Sequence, residues 1–194
     1  QDGSGYGIYA REYAAIDAPA VAAGSTVSAN TTTLGDQLAP RITALADGGY
    51  VSVWQSFGQD GSGNGIYGQR YAANGGVAVG GEFQVNSTTG NNQETPDIVG
   101  LADGSFVAVW QSTAQDGAGT GVYGQRFAAT GAKLGGEFQV NQFTASDQRD
   151  ARIVALEGGG FAVAWTSVGQ DGNNLGIYAR RYDTSGNALG DEFQ

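Results

Sequence analysis

In the stretch YVSVWQS, Tyr50–Ser56, apolar residues occupy both parities of an extended chain. Tyr50 and Trp54 share one face, and Val51 and Val53 share the other. The same double pattern returns in FVAVWQS, Phe106–Ser112, and in FAVAWTS, Phe161–Ser167. A strand that is apolar on both faces is covered on both. A single two-layer sandwich of antiparallel hairpins more often leaves one face polar.

Around this strand, one unit from Pro40 reads as four short β-branched or aromatic runs. They are Arg41–Leu45, Tyr50–Ser56, Ile66–Ala72 and Glu82–Asn86, separated by Asp-Gly and Gly-rich turn chemistry. No stretch carries a helical apolar period. The three tryptophans, Trp54, Trp110 and Trp165, recur at steps of 56 and 55 residues. A Gly-rich nonapeptide, QDGSGNGIY in its second copy, places Asp2, Asp60, Asp116 and Asp171 at steps of 58, 56 and 55. Such a period marks a repeat architecture.

The predicted fold is all-β, made of β-propeller-like four-stranded blades, about 3.5 to the chain. Tandem small β-sandwiches are the alternative, and a β-solenoid ranks third because its rung is usually shorter. The units divide as 1–39, a partial repeat holding only the third and fourth strands, then 40–94, 95–150 and 151–194. About 3.5 blades fall short of a ring of roughly 4 to 8. Self-association is therefore expected: two chains completing seven blades, copies joined head to tail, or membership of a longer array. A start at Gln1 without Met reads as a processed product or an excised segment.

Composition narrows the function. The 194 residues carry a net charge of −10, and charged residues make up only 14%. An acidic surface repels phosphate backbones and anionic headgroups, so nucleic acid is excluded as a partner. No run of 18 apolar residues exists, so no membrane insertion is expected. The chain has no cysteine, histidine or methionine, which removes disulfides and the usual zinc sites.

The pattern LADGGYVSVWQSFGQDGSGNGIYGQRYAANGGVAVGGEFQVN resembles a tandem repeat of large bacterial secreted and surface proteins of the RTX-adhesin type. The likeness runs from Gln1 to Gln194. Two departures are Glu157-Gly158 in place of Asp-Gly, and GSTVSAN where later units read GGEFQVN. The resemblance implies an extracellular or cell-surface setting and no catalytic residues.

The nonapeptide is read chiefly as an architectural loop whose Asp caps backbone N–H groups. As a calcium site it offers Asp2, Asp60, Asp116 and Asp171 as candidate ligands, one carboxylate per loop, and it does not match the RTX calcium nonapeptide. A phosphate cradle is excluded, because a strand and no lysine follows. The tryptophans are assigned to the core. Tyr67, Tyr123 and Tyr178, beside the loop, are the candidate glycan platforms. Arg70, Arg126 and Arg181 recur in register with Glu82, Glu137 and Glu192, and are expected to pair within each unit. Asn30 and Asn86 match the N-glycosylation sequon by coincidence.

No His or Cys is available for nucleophilic or base chemistry. Near-identical units also give each carboxylate the same surroundings, whereas acid and base roles need different ones. The expected function is thus a non-enzymatic extracellular structural or adhesive repeat protein, assembling into a closed oligomer or filament, with calcium as the one conceivable cofactor. The alternative is a multivalent glycan-binding lectin, its weak sites gaining avidity from spacing. An acidic glycoside hydrolase ranks third.

Overall fold

The computed structural model describes residues 5–11, 13–14, 21–22, 26–73 and 76–194. Among these there is no helix. Two sheets are four-stranded antiparallel meanders. The first runs β5 (Gln37–Ala44), β6 (Tyr50–Phe57), β7 (Asn64–Tyr71) and β8 (Ala78–Gln84). The second repeats it with β9 (Gln93–Gly100), β10 (Phe106–Thr113), β11 (Thr120–Phe127) and β12 (Lys133–Gln139). The third holds β13 (Gln148–Ala155), β14 (Phe161–Val168) and β15 (Leu175–Tyr182). Isolated bridges Tyr182↔Ala188 and Ala179↔Phe193 lay the following segment along β15. At the N-terminal end, β1 (Tyr9–Ala10) pairs with β4 (Val27–Ser28), and β2 (Tyr13–Ala14) with β3 (Val21–Ala22).

The turns follow from Asp-Gly chemistry. In the first sheet, Asp47 Oδ1 accepts the Gly49 N–H at 2.9 Å, and Gly48 adopts a φ of 81° that a β-carbon disfavours. Asp103 accepts the Ser105 N–H in the same way at 2.9 Å. Each first strand carries a bulge, with Ala39, Thr95 and Asp150 at φ 52°, 49° and 57°. A neighbouring sheet stabilises two of these bulges: Gln55 Oε1 accepts the Thr95 N–H at 3.1 Å, and Gln111 Oε1 accepts the Asp150 N–H at 3.4 Å.

Sheets stack face on face, with an apolar layer between each pair. Val51, Val53, Ile66 and Val85 of the first sheet meet Phe106, Trp110, Tyr123 and Phe127 of the second. Val107, Val109, Val122 and Val140 of the second meet Phe161, Trp165, Tyr178 and Tyr182 of the third. Ile8 and Ala29 of the N-terminal hairpin meet Trp54, Tyr67 and Tyr71 of the first. The three tryptophans are at most 1% exposed. The doubly apolar second strand is covered on both faces in β6 and β10, as its pattern requires, whereas in β14 Ala162 and Ala164 are half-buried.

The all-β expectation holds. Among the described residues no closed ring or barrel forms, and sheet-on-sheet stacking matches the tandem-sandwich alternative. A repeat period defines a unit. It does not define the rotation between units, which side-chain packing at the interface sets.

Candidate functional site

The loops between second and third strands gather at one end of each sheet. In the first, Gly58 donates its N–H to the Gly63 carbonyl at 2.7 Å, and Asp60 Oδ1 accepts the Ser62 N–H at 3.1 Å. Asp116 and Asp171 accept from Ala118 at 3.3 Å and Asn173 at 3.0 Å. The second carboxylate oxygen faces the fourth strand, where Gln84, Gln139 and Gln194 donate at 3.4, 3.3 and 3.0 Å. Both oxygens of each aspartate therefore hold the loop in place. A glycine is required beside them: a β-carbon on Gly65 would lie 2.6 Å from Asp60 Oδ2. Among the described residues no group of three or more Asp, Glu, His or Cys gathers as a metal cage, and Asp2 lies outside the described residues.

The recurring glutamates bind differently from expectation. Glu82 does not pair with Arg70. Its Oε1 accepts from Gln59 Nε2, and its Oε2 accepts the Thr31 N–H at 2.8 Å from the loop of the preceding unit. Glu137 takes the Ser87 N–H at 2.6 Å, and Glu192 the Gln142 N–H at 2.6 Å. Each glutamate is thus a clasp between neighbouring units. Arg70 instead pairs with Asp47, and Arg126 donates to the carbonyls of Thr184 and Ser185 in the next sheet's turn. The physical reason is reach: third-strand arginines point toward the turn end of the sheet, while the glutamates lie at the loop end.

Tyr67, Tyr123 and Tyr178 stand beside these carboxylates, yet they are only 6, 6 and 7% exposed. Their rings belong to the apolar layers, so their faces are not free for stacking. Burial, then Asp60 and Glu82, push the Tyr67 phenol up to about 12, and burial with Asp116 and Glu137 does the same for Tyr123. Tyr178 is raised by burial, Asp171 and Glu192. All three phenols stay protonated at neutral pH.

A buried amide pair recurs beneath the loops and was missed in the sequence. Asn30, Asn86 and Asn141 donate to Gln37, Gln93 and Gln148 Oε1 at 3.1, 3.0 and 3.0 Å. The same asparagines accept the N–H of Ile8, Ile66 and Val122 at 2.6, 2.7 and 2.8 Å. The signal was present as Asn and Gln seven residues apart in each unit, but both sat in a stretch that reads as a polar loop. Asn30 and Asn86 are 3% and 1% exposed, so neither sequon offers an accessible amide in the folded chain.

On this end the repeat departs from itself at Phe57 and Leu34. Phe57 is 57% exposed where the equivalent residues are Thr113 and Val168, and Leu34 is 79% exposed where they are Gly90 and Ala145. The two residues flank an open cleft of about 500 Å³, whose walls also include Thr32, Gly35, Gly58 and Gln59. A β-carbon on Gly35 would lie 3.6 Å from the Phe57 β-carbon, so the two loops touch there. The cleft combines an aromatic face, a hydroxyl and an amide, with Glu82 behind the amide.

No family model matches the chain, and no curated protein matches it. Solved structures do. An endo-1,4-beta-xylanase from Bacteroides thetaiotaomicron superposes with a TM-score of 0.54 at 12% identity, covering 97% of this chain and 78% of that one. An alpha-L-arabinofuranosidase from Lactobacillus brevis gives 0.54 at 11%, covering 89% and 60%. An endo-arabinase from Bacteroides thetaiotaomicron gives 0.50 at 16%, covering 76% and 57%. The chain thus spans little more than half the length of the last two. At such identities the likeness is one of fold.

That fold likeness corrects two expectations. The architecture is shared with proteins named for acting on carbohydrate, so the purely structural or adhesive role is not retained, nor is the exclusion of an enzyme. The glycan-binding alternative fits the comparisons better.

Proposed function

We propose that this chain binds carbohydrate, through an array of propeller-type blades whose loop ends face the ligand. The observation that carries the reading is the cleft at Phe57, on a fold whose likenesses include a xylanase, an arabinofuranosidase and an arabinase. An exposed aromatic ring stacks on the apolar face of a pyranose or furanose. Thr32 and Gln59 at the rim supply a hydroxyl and an amide for sugar hydroxyls. A neutral glycan suits a surface of net charge −10, which disfavours anionic ligands. The blade reading is supported by the meander order of the sheets and by the way first strands β5, β9 and β13 pack on one another. A carbohydrate ligand also suits the extracellular setting implied by the repeat's resemblance.

The test is calorimetry with xylan and arabinan oligosaccharides on wild type and Phe57→Ala. Binding lost on the substitution, with an unchanged melting curve, supports the reading. Equal binding by both proteins, or none by wild type at millimolar sugar, overturns it. The same samples incubated with polymeric xylan and arabinan, and assayed for reducing ends, report whether hydrolysis accompanies binding.

A further inference from the structure

Two faces of this molecule are bare where their equivalents are covered. Ile66 and Val122 are 0% exposed, but Ile177, at the same place in the third sheet, is 63% exposed. Phe83 packs on the stacked pair Phe106 and Phe127 at 6.5 and 5.5 Å, and Phe138 packs on Phe161 and Tyr182 at 6.3 and 5.5 Å. Phe193, their counterpart, is 52% exposed. Val51, Val53, Val107 and Val109 are fully buried, while Ala162 and Ala164 at those positions are half-buried.

The opposite face is bare on the N-terminal hairpin. Tyr9 is 38% exposed where Tyr67, Tyr123 and Tyr178 are at most 7%. Tyr13 is 57% exposed where Tyr71, Phe127 and Tyr182 are at most 2%.

These faces are the two halves of one interface. At the two junctions between sheets, aliphatic residues and a phenylalanine of one unit cover an aromatic row of the next. The bare third-sheet face carries the aliphatic half, with Ile177 and Phe193. The bare hairpin face carries the aromatic half, with Tyr9 and Tyr13. We propose that the third-sheet face of one copy of this chain docks onto the hairpin face of a second copy, repeating the junction the chain already makes within itself. The contact is heterologous: each copy uses one face and leaves the other free. This inference is independent of the carbohydrate reading, whose cleft involves neither face.

Sedimentation of the whole chain at rising concentration tests it, with Ile177→Asp and Tyr13→Asp as separate variants. Both residues are exposed, so both variants keep the wild-type circular dichroism and melting curve. Wild type is expected to gain mass above 19.8 kDa as concentration rises. Each variant alone stays monomeric, and an equimolar mixture of the two forms heterodimers, because one good face remains on each. Wild type that stays at 19.8 kDa at several hundred micromolar overturns the proposal, and includes the case in which another polypeptide covers these faces. A variant that still self-associates alone overturns it as well, since that points to a symmetric contact using like faces.

Discussion

Truncating Asn86 tests whether the buried amide pairs hold the units together. The residue is 1% exposed. Its Oδ1 accepts the Ile66 N–H at 2.7 Å, and its Nδ2 donates to Gln93 Oε1 at 3.0 Å and to the Thr88 carbonyl at 2.9 Å. Ile66 and Gln93 are both fully buried, so in Asn86→Ala their freed N–H and Oε1 lie out of reach of bulk solvent. Each buried group left without a partner costs about 1–3 kcal/mol. The Thr88 carbonyl sits in a half-exposed loop and recovers a water, adding little. The expected loss is about 3 kcal/mol, at the lower-middle of the summed range because a polar void of this size admits a water. For a chain of this length that is roughly a 6–12 °C fall in melting temperature. Tryptophan fluorescence during urea or thermal unfolding reads it directly, since all three tryptophans lie in the layers that open. Asn30→Ala and Asn141→Ala remove the same bonds in the other units and serve as replicates. Thr89→Ala, on the exposed part of the same loop, is the neutral control. A loss below about 1 kcal/mol in all three asparagine variants would refute the assignment, since it would place these amides among weakly held surface groups.

Burial pushes Tyr67, Tyr71, Tyr123 and Tyr182 each up to about 12 from an ordinary value near 10. Their folded values are raised, so the stability they contribute is complete below about pH 10 and is lost as pH rises through about 12. Tyrosinate absorbance followed together with the melting temperature checks this; ionisation of these four near pH 10 in a still-folded chain would contradict it. Asp60→Ala removes the acceptor of the Ser62 N–H and is expected to cost about 1 kcal/mol, the usual scale of a lost cap, with chelator leaving the melting curve of either protein unchanged. A chelator-dependent fall that the substitution abolishes would instead make the loop a cation site.

Much of the fold was legible in local pattern. The both-parity apolar runs around Trp54 and Trp110 report coverage on both faces, because alternate side chains of a strand point to opposite sides, and the run around Trp165 is covered on its tryptophan face. The Asp-Gly turns and the aspartate of the nonapeptide were legible too, since Asx geometry needs only residues two apart. The unit period likewise follows from the chain alone.

Tertiary structure decided what depends on neighbours far along the chain. Glu82 clasps Thr31, 51 residues away, and Arg70 goes to Asp47, so a pairing expected from equal spacing was replaced by one set by which end of the sheet each side chain reaches. Asn86 and Gln93 occupy a stretch as polar as any loop, and only stacking of one sheet on the next excludes water from them. The tyrosines that read as exposed platforms were drawn into the apolar layers by the same stacking. Phe57, an ordinary strand-end residue in the sequence, became the exposed wall of a cleft because Leu34 and Gly35 come from a different unit. Period, turn and alternation are local properties of the backbone, so composition and spacing determine them. Interface geometry depends on which unit covers which face, and equivalent residues such as Ile66 and Ile177 have opposite fates for that reason.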